Sequence, residues 1–82
     1  MPTLTNKQSR AINSVGPNYS INYEADAEAG VASEELERLA DSHVLDATAA
    51  TTRDDIGGLV VYWRGDELVG FYDYERYVGH VF

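Results

Sequence analysis

The chain has 82 residues, carries fourteen acids against six bases for a formal charge of -8, and contains no cysteine. Disulfides and thiolate metal sites are thereby excluded. Direct binding to nucleic acid or to an anionic membrane is disfavoured, because Lys and Arg supply most of the affinity for phosphates.

A chain this short is expected to form one domain, residues 1–82. Such a domain buries only about 60 to 65% of its unfolded surface, so pairing with a second copy, as a homodimer, or with a partner would add to a thin stability margin. Apolar residues make up 44%, too many for a disordered tail. No apolar run reaches the about 18 residues needed to cross a bilayer, and residues 1–16 lack an apolar signal segment, so a cytoplasmic location is expected. The charge is uneven: residues 1–17 are net +2, residues 18–46 net -7 and residues 47–82 net -3.

In chain order, residues 1–17 admit two readings. Thr5 or Asn6 can cap a short helix through Val15, stopped by Gly16 and Pro17, or Arg10 to Val15 can be a strand turning at Gly16-Pro17-Asn18. The helix is favoured. Asn18 to Glu28 alternates: Tyr19, Ile21, Tyr23, Ala25 and Ala27 on one parity, Ser20, Asn22, Glu24, Asp26 and Glu28 on the other. That pattern predicts a strand with one apolar and one acidic face.

Ser33 reads as the N-cap of a helix with Glu34 and Glu35 at its positive end and an apolar stripe of Leu36, Leu39, Ala40 and His43. Glu34 and Arg38, four apart, form the expected ion pair on its outer face. Val44 to Thr52 reads as a short strand, and Arg53-Asp54-Asp55 with Gly57-Gly58 as a loop. Leu59 to Trp63 and Glu67 to Asp73 form a hairpin around Gly65-Asp66. Arg64 faces Glu67, Trp63 faces Leu68, Tyr62 faces Val69 and Val60 faces Phe71. Both faces of this hairpin carry large side chains, which places it in the middle of the sheet. Glu75 to Phe82 adds a last strand.

As strand residues, Glu24, Asp26 and Glu28 would stand about 6.8 Å apart on one face, a spacing of the order of that between neighbouring phosphates. With Glu34, Glu37 and Asp41 they would make an acidic strip. An acidic face also suits plain solvation of a sheet, and general acidity suits a high-salt cytoplasm, although the latter calls for acids spread evenly. Tyr74 and Tyr77, beside Asp73 and Glu75, are candidate contact residues, since tyrosine joins apolar area to a polar tip. Tyr19 and Tyr23 are assigned to the core. Asp41, His43 and Asp46 suit a metal only if the helix ends between them, and His43 is read as a partly buried residue closing the stripe. No nucleophile elbow, phosphate loop or calcium loop occurs, so neither enzymatic activity nor a cofactor is expected.

The expected fold is α+β: an antiparallel sheet of four to five strands with one or two helices packed on one face. In size, acidity, lack of catalytic motifs and compact α+β make-up, the chain resembles small phage-encoded inhibitors of host defence, particularly anti-CRISPR proteins that act as DNA mimics. No motif matches residue by residue, so the resemblance transfers no site. It implies an inhibitor that occupies the channel of a basic nucleic-acid-binding protein of the host, acting in the host cytoplasm. Here Glu24, Asp26, Glu28, Glu34, Glu37 and Asp41 would stand in for phosphates, and Tyr74 and Tyr77 would add contact area. The competing expectation is a small adaptor or homodimer subunit that associates through the hairpin and the last strand, its acidity serving solubility.

Overall fold

Val60, Val61, Tyr62 and Trp63 are consecutive, and none is more than 1% exposed. Side chains of a strand point alternately to its two faces, so this run needs a cover on both. The computed structural model, which describes residues 3–82, shows how the chain provides it. The helices are α1 (Asn6–Asn13), α2 (Glu24–Glu28) and α3 (Ser33–Thr48), and the strands are β1 (Ile21–Asn22), β2 (Thr52–Ile56), β3 (Leu59–Arg64), β4 (Glu67–Asp73) and β5 (Val78–Val81). All five strands join one antiparallel sheet in the order β1-β5-β4-β3-β2. The α+β class read from the sequence is borne out, and among the described residues no helix is long and apolar enough to cross a membrane.

On one face Ala40 and Val44 of α3 pack with Ile21, Val60, Tyr62, Val69 and Tyr72. On the other, Leu4, Ile12, Val15 and Tyr19, in and around α1, pack against Val61, Trp63 and Phe71. The sheet is therefore covered by α3 on one side, as expected, and by α1 on the opposite side rather than beside α3. Each fully buried aliphatic side chain contributes about 1.5–3 kcal/mol, so neither cover is dispensable in a domain of this size.

Of the two readings of the N-terminus, the helix is the one adopted. Thr5 and Gln8 form a capping box: the Gln8 amide donates to Thr5 Oγ1 at 3.1 Å and the Thr5 amide donates to Gln8 Oε1 at 2.9 Å.

The predicted break after His43 does not occur. Helix α3 continues to Thr48, because its buried positions are Leu36, Ala40, Val44 and Thr48, one every four residues. Leu39 is 37% exposed and His43 is exposed, which displaces both from the predicted stripe. Nor is Arg53-Asp54-Asp55 a loop: it is the middle of β2, paired residue for residue with Tyr62, Val61 and Val60 of β3.

The β3–β4 hairpin keeps the predicted pairs at its turn, Arg64 with Glu67 and Trp63 with Leu68, then shifts by one. Tyr62 faces Gly70, Val61 faces Phe71 and Val60 faces Tyr72. The shift is a β-bulge at Val69. It lets Leu68 and Phe71, three residues apart, both join the α1 face while Val69 turns to α3. Two glycines allow the close approaches around β4. A Cβ on Gly70 would lie 3.1 Å from Val44 Cγ1, and one on Gly79 would lie 2.4 Å from the Phe71 carbonyl oxygen.

Gly79→Ala must therefore push β5 off β4, and a loss of about 3 kcal/mol is expected in urea denaturation, the upper end for overpacking. Ala49→Gly should act the other way. Ala49 closes α3 in the left-handed region at φ 55 and ψ 38, where glycine avoids the Cβ penalty, so the variant should gain about 0.5–1 kcal/mol in the same measurement.

Candidate functional site

The acidic stretch does not form the predicted strand. Only Ile21–Asn22 pairs, with Gly79 and Val78 of β5, and the chain then turns into α2. The Asn22 side chain starts this turn by accepting the Glu24 amide at 3.0 Å. Gly30 stops it with φ +96. The amides of Gly30 and Val31 donate to the carbonyls of Ala27 and Asp26 at 3.1 and 3.0 Å, the paired bonds of a glycine-terminated helix. Glu24, Asp26 and Glu28 are thus helical residues. Glu24 and Glu28 lie one turn apart on the same side, and Asp26 lies about 200° around the axis from Glu24. The regular row of carboxylates along a strand is corrected by this geometry.

What replaces it is an acidic pole. Tyr23 donates its amide to the Tyr77 carbonyl at 2.8 Å, and the hydroxyls of Ser33 and Tyr77 are 3.5 Å apart. These contacts hold α2, the start of α3 and the turn between β4 and β5 at one end of the sheet. Glu24, Asp26, Glu28 and Glu34 are all exposed there, and none forms an ion pair among the described residues. Glu34 does not pair with Arg38 as predicted. Arg38 donates instead to Glu35, whose carboxyl is held below its usual value by that hydrogen bond.

Glu37 and Asp41 are separated from this set. Arg53, projecting from β2 onto α3, lies 3.6 Å from Glu37 and 3.2 Å from Asp41. Asp41 also accepts the Tyr62 hydroxyl, and burial together with this bond raises the tyrosine far above its ordinary value. The signal for that pairing lay in the sequence only as Arg53 itself; reading Arg53 as a loop residue hid it.

The two candidate tyrosines also part company. The Tyr74 hydroxyl donates to Asp55 at 2.8 Å and accepts the Gly58 amide at 3.1 Å, so it ties β2 to the following turns. Tyr77 stays with the acids, held in the left-handed region at φ 61, a costly conformation for a bulky residue.

Two depressions flank the turn from Asp73 to Tyr77. On the α2 side, Glu24, Glu28 and Tyr77 line an open groove of about 380 Å³ together with Glu75 and Arg76. On the α1 side, the same Glu75 and Arg76 stand at a more enclosed cavity of about 260 Å³ floored by Leu59, Phe71 and Val78. Among the described residues no three His, Asp or Glu side chains converge as metal ligands, and α3 runs unbroken through Asp41, His43 and Asp46.

No protein-family model, curated protein or solved structure matches this chain. Its function has to be read from the surface just described.

Behind the acidic pole, Tyr72 is fully buried and its hydroxyl has no hydrogen-bond partner among the described residues. Burial first, then the nearby Tyr23, Tyr77 and Glu37, push its ionisation from 10.0 up to about 12. The folded chain thus holds the phenolic proton more tightly than the unfolded one. Its contribution to stability is complete below pH 10 and disappears as the pH climbs towards about 12. Tyr72→Phe should lessen that alkaline loss. Because it removes an unsatisfied buried hydroxyl, it should also raise stability near neutrality by about 1 kcal/mol, read from urea midpoints near pH 7 and pH 11.

Proposed function

We propose that the chain is a non-catalytic inhibitor that binds a basic nucleic-acid-binding protein, such as a CRISPR effector complex, through its acidic pole. The observation that carries this reading is the placement of Glu24, Asp26, Glu28 and Glu34 at one end of the sheet, exposed and without ion pairs among the described residues. Elsewhere three arginines sit on acids: Arg38 on Glu35, Arg53 on Glu37 and Asp41, and Arg64 on Glu67. The acids of α2 form no such pair among the described residues, and a concentrated exposed negative field attracts and steers a basic surface.

With α2 helical, the reading rests on the density of charge at this pole and no longer on a phosphate-like repeat. The contact set narrows accordingly to Glu24, Asp26, Glu28, Glu34 and Tyr77. Glu37 and Asp41 already have a cation, and the Tyr74 hydroxyl is engaged within the fold.

The test is capture on the immobilised chain followed by elution with duplex DNA. A partner that binds nucleic acid through the same basic surface should be displaced by DNA. It should also be displaced by raising salt from about 0.1 M towards 1 M, since screening shortens from about 10 Å to 3 Å. The triple reversal Glu24→Lys, Asp26→Lys, Glu28→Lys should lose capture by at least about a hundredfold, as like charges then face each other. All three positions are exposed, so its melting temperature should stay within a few degrees. Retention of the partner by the folded triple variant, or a partner that DNA cannot displace, would refute the proposal.

A further inference from the structure

The cavity on the α1 side has a charge arrangement that the acidic pole does not explain. In a chain with fourteen acids, Arg76 makes no ion pair among the described residues. It is held instead by Tyr19: Nη1 donates to the Tyr19 hydroxyl at 3.1 Å, and the guanidinium lies 5.7 Å from the centre of the Tyr19 ring. A guanidinium fixed on an aromatic face keeps its other N–H groups free for an anion. The Tyr19 hydroxyl accepts that bond, and its own hydrogen is committed to no acceptor among the described residues. Asn13 also lines the cavity.

Glu75 also lines the cavity, yet it pairs with no cation among the described residues, its neighbour Arg76 included. Two features fix it there. Asp73 Oδ1 accepts the amides of Glu75 and Arg76 at 3.0 and 3.1 Å, which sets the turn that carries both. The Glu75 carboxylate lies flush on the bare backbone of Gly58, where a Cβ would sit only 2.8 Å from its carbon. Opposite charges are thus kept apart in one wall above a floor of Leu59, Phe71 and Val78.

From this arrangement we propose that the cavity binds a small zwitterion with an apolar body, an apolar α-amino acid. The carboxylate takes Arg76, the Tyr19 hydroxyl and the Asn13 amide. The ammonium takes Glu75, and the side chain covers Ile12 and Leu59, the partly exposed apolar residues of the lining. The volume of about 260 Å³ holds one such molecule and excludes a peptide of several residues. This assignment does not rest on the proposed function and concerns a different class of ligand.

The experiment is titration of leucine into the ¹⁵N-labelled full chain, followed by amide shifts. Saturable shifts at Gly58, Tyr19 and Arg76 are expected, with Kd in the millimolar range or tighter. The analogues 4-methylpentanoate and 3-methylbutylamine, each lacking one charge, should bind at least about tenfold more weakly, as should leucine to Arg76→Met and to Glu75→Gln. The analogues keep the test independent of any effect the substitutions have on folding. The proposal is overturned if leucine, valine and phenylalanine all give no saturable shift. It is also overturned if 4-methylpentanoate binds as well as leucine, or if the folded Arg76→Met variant binds leucine as the parent does.

Discussion

The constraint on which the rest of the structure depends is the burial of β3 on both faces. Val60 and Tyr62 look one way, Val61 and Trp63 the other, and all four are inaccessible to water. A sheet with one wet face would strand two of these side chains. The chain answers with a helix on each side, α3 after the acidic stretch and α1 at the start. Each helix contributes to its own small core, and the two cores meet only through the sheet. With so little surface to bury in a domain of this size, the hairpin supplies buried side chains to both halves.

The local irregularities follow from that demand. Leu68 and Phe71 have the wrong spacing to share a face in a regular strand, and the bulge at Val69 corrects it. Gly70 and Gly79 keep β4 within reach of both Val44 and β5. Once β4 and β5 are held this closely, the turn between them must be tight, and Tyr77 accepts a left-handed backbone to make it. The acidic pole and the enclosed cavity are both built on this turn, so their geometry descends from core packing several residues away.

The central hairpin, its turn pair and the last strand from Val78 onward were legible in the sequence because runs of β-branched and aromatic residues, Gly65-Asp66 and an opposite-charge pair all agree on them. The acidic stretch was misread for a definite physical reason. Tyr19, Ile21 and Tyr23 do alternate, but Asn22 and Gly30 bracket a five-residue stretch rich in alanine and glutamate, and helix propensity with both end signals outweighs the alternation. Strand β2 was missed because an exposed edge strand needs no apolar pattern; its charged residues are held through the ladder to β3. The length of α3 was hidden by β-branched Val44 and Thr48, whose burial completes a stripe that His43 does not join. The candidate site was legible as a list of acids. Which of them are free was not, since that depends on Arg53 crossing from β2 to α3, a contact between residues twelve or more apart in the chain.

The single turn from Asp73 to Tyr77 serves two openings at once, with Glu75 and Arg76 facing both. Occupancy of either opening therefore draws on the same pair of side chains. A molecule that engages Arg76 from the α1 side would neutralise a positive charge that lines the groove with Glu24 and Glu28, and one that engages Glu75 would neutralise a negative one. If a ligand in one opening alters binding at the other, thermodynamic reciprocity makes the effect mutual and equal in size. Two openings formed on opposite sides of one turn share two neighbouring residues.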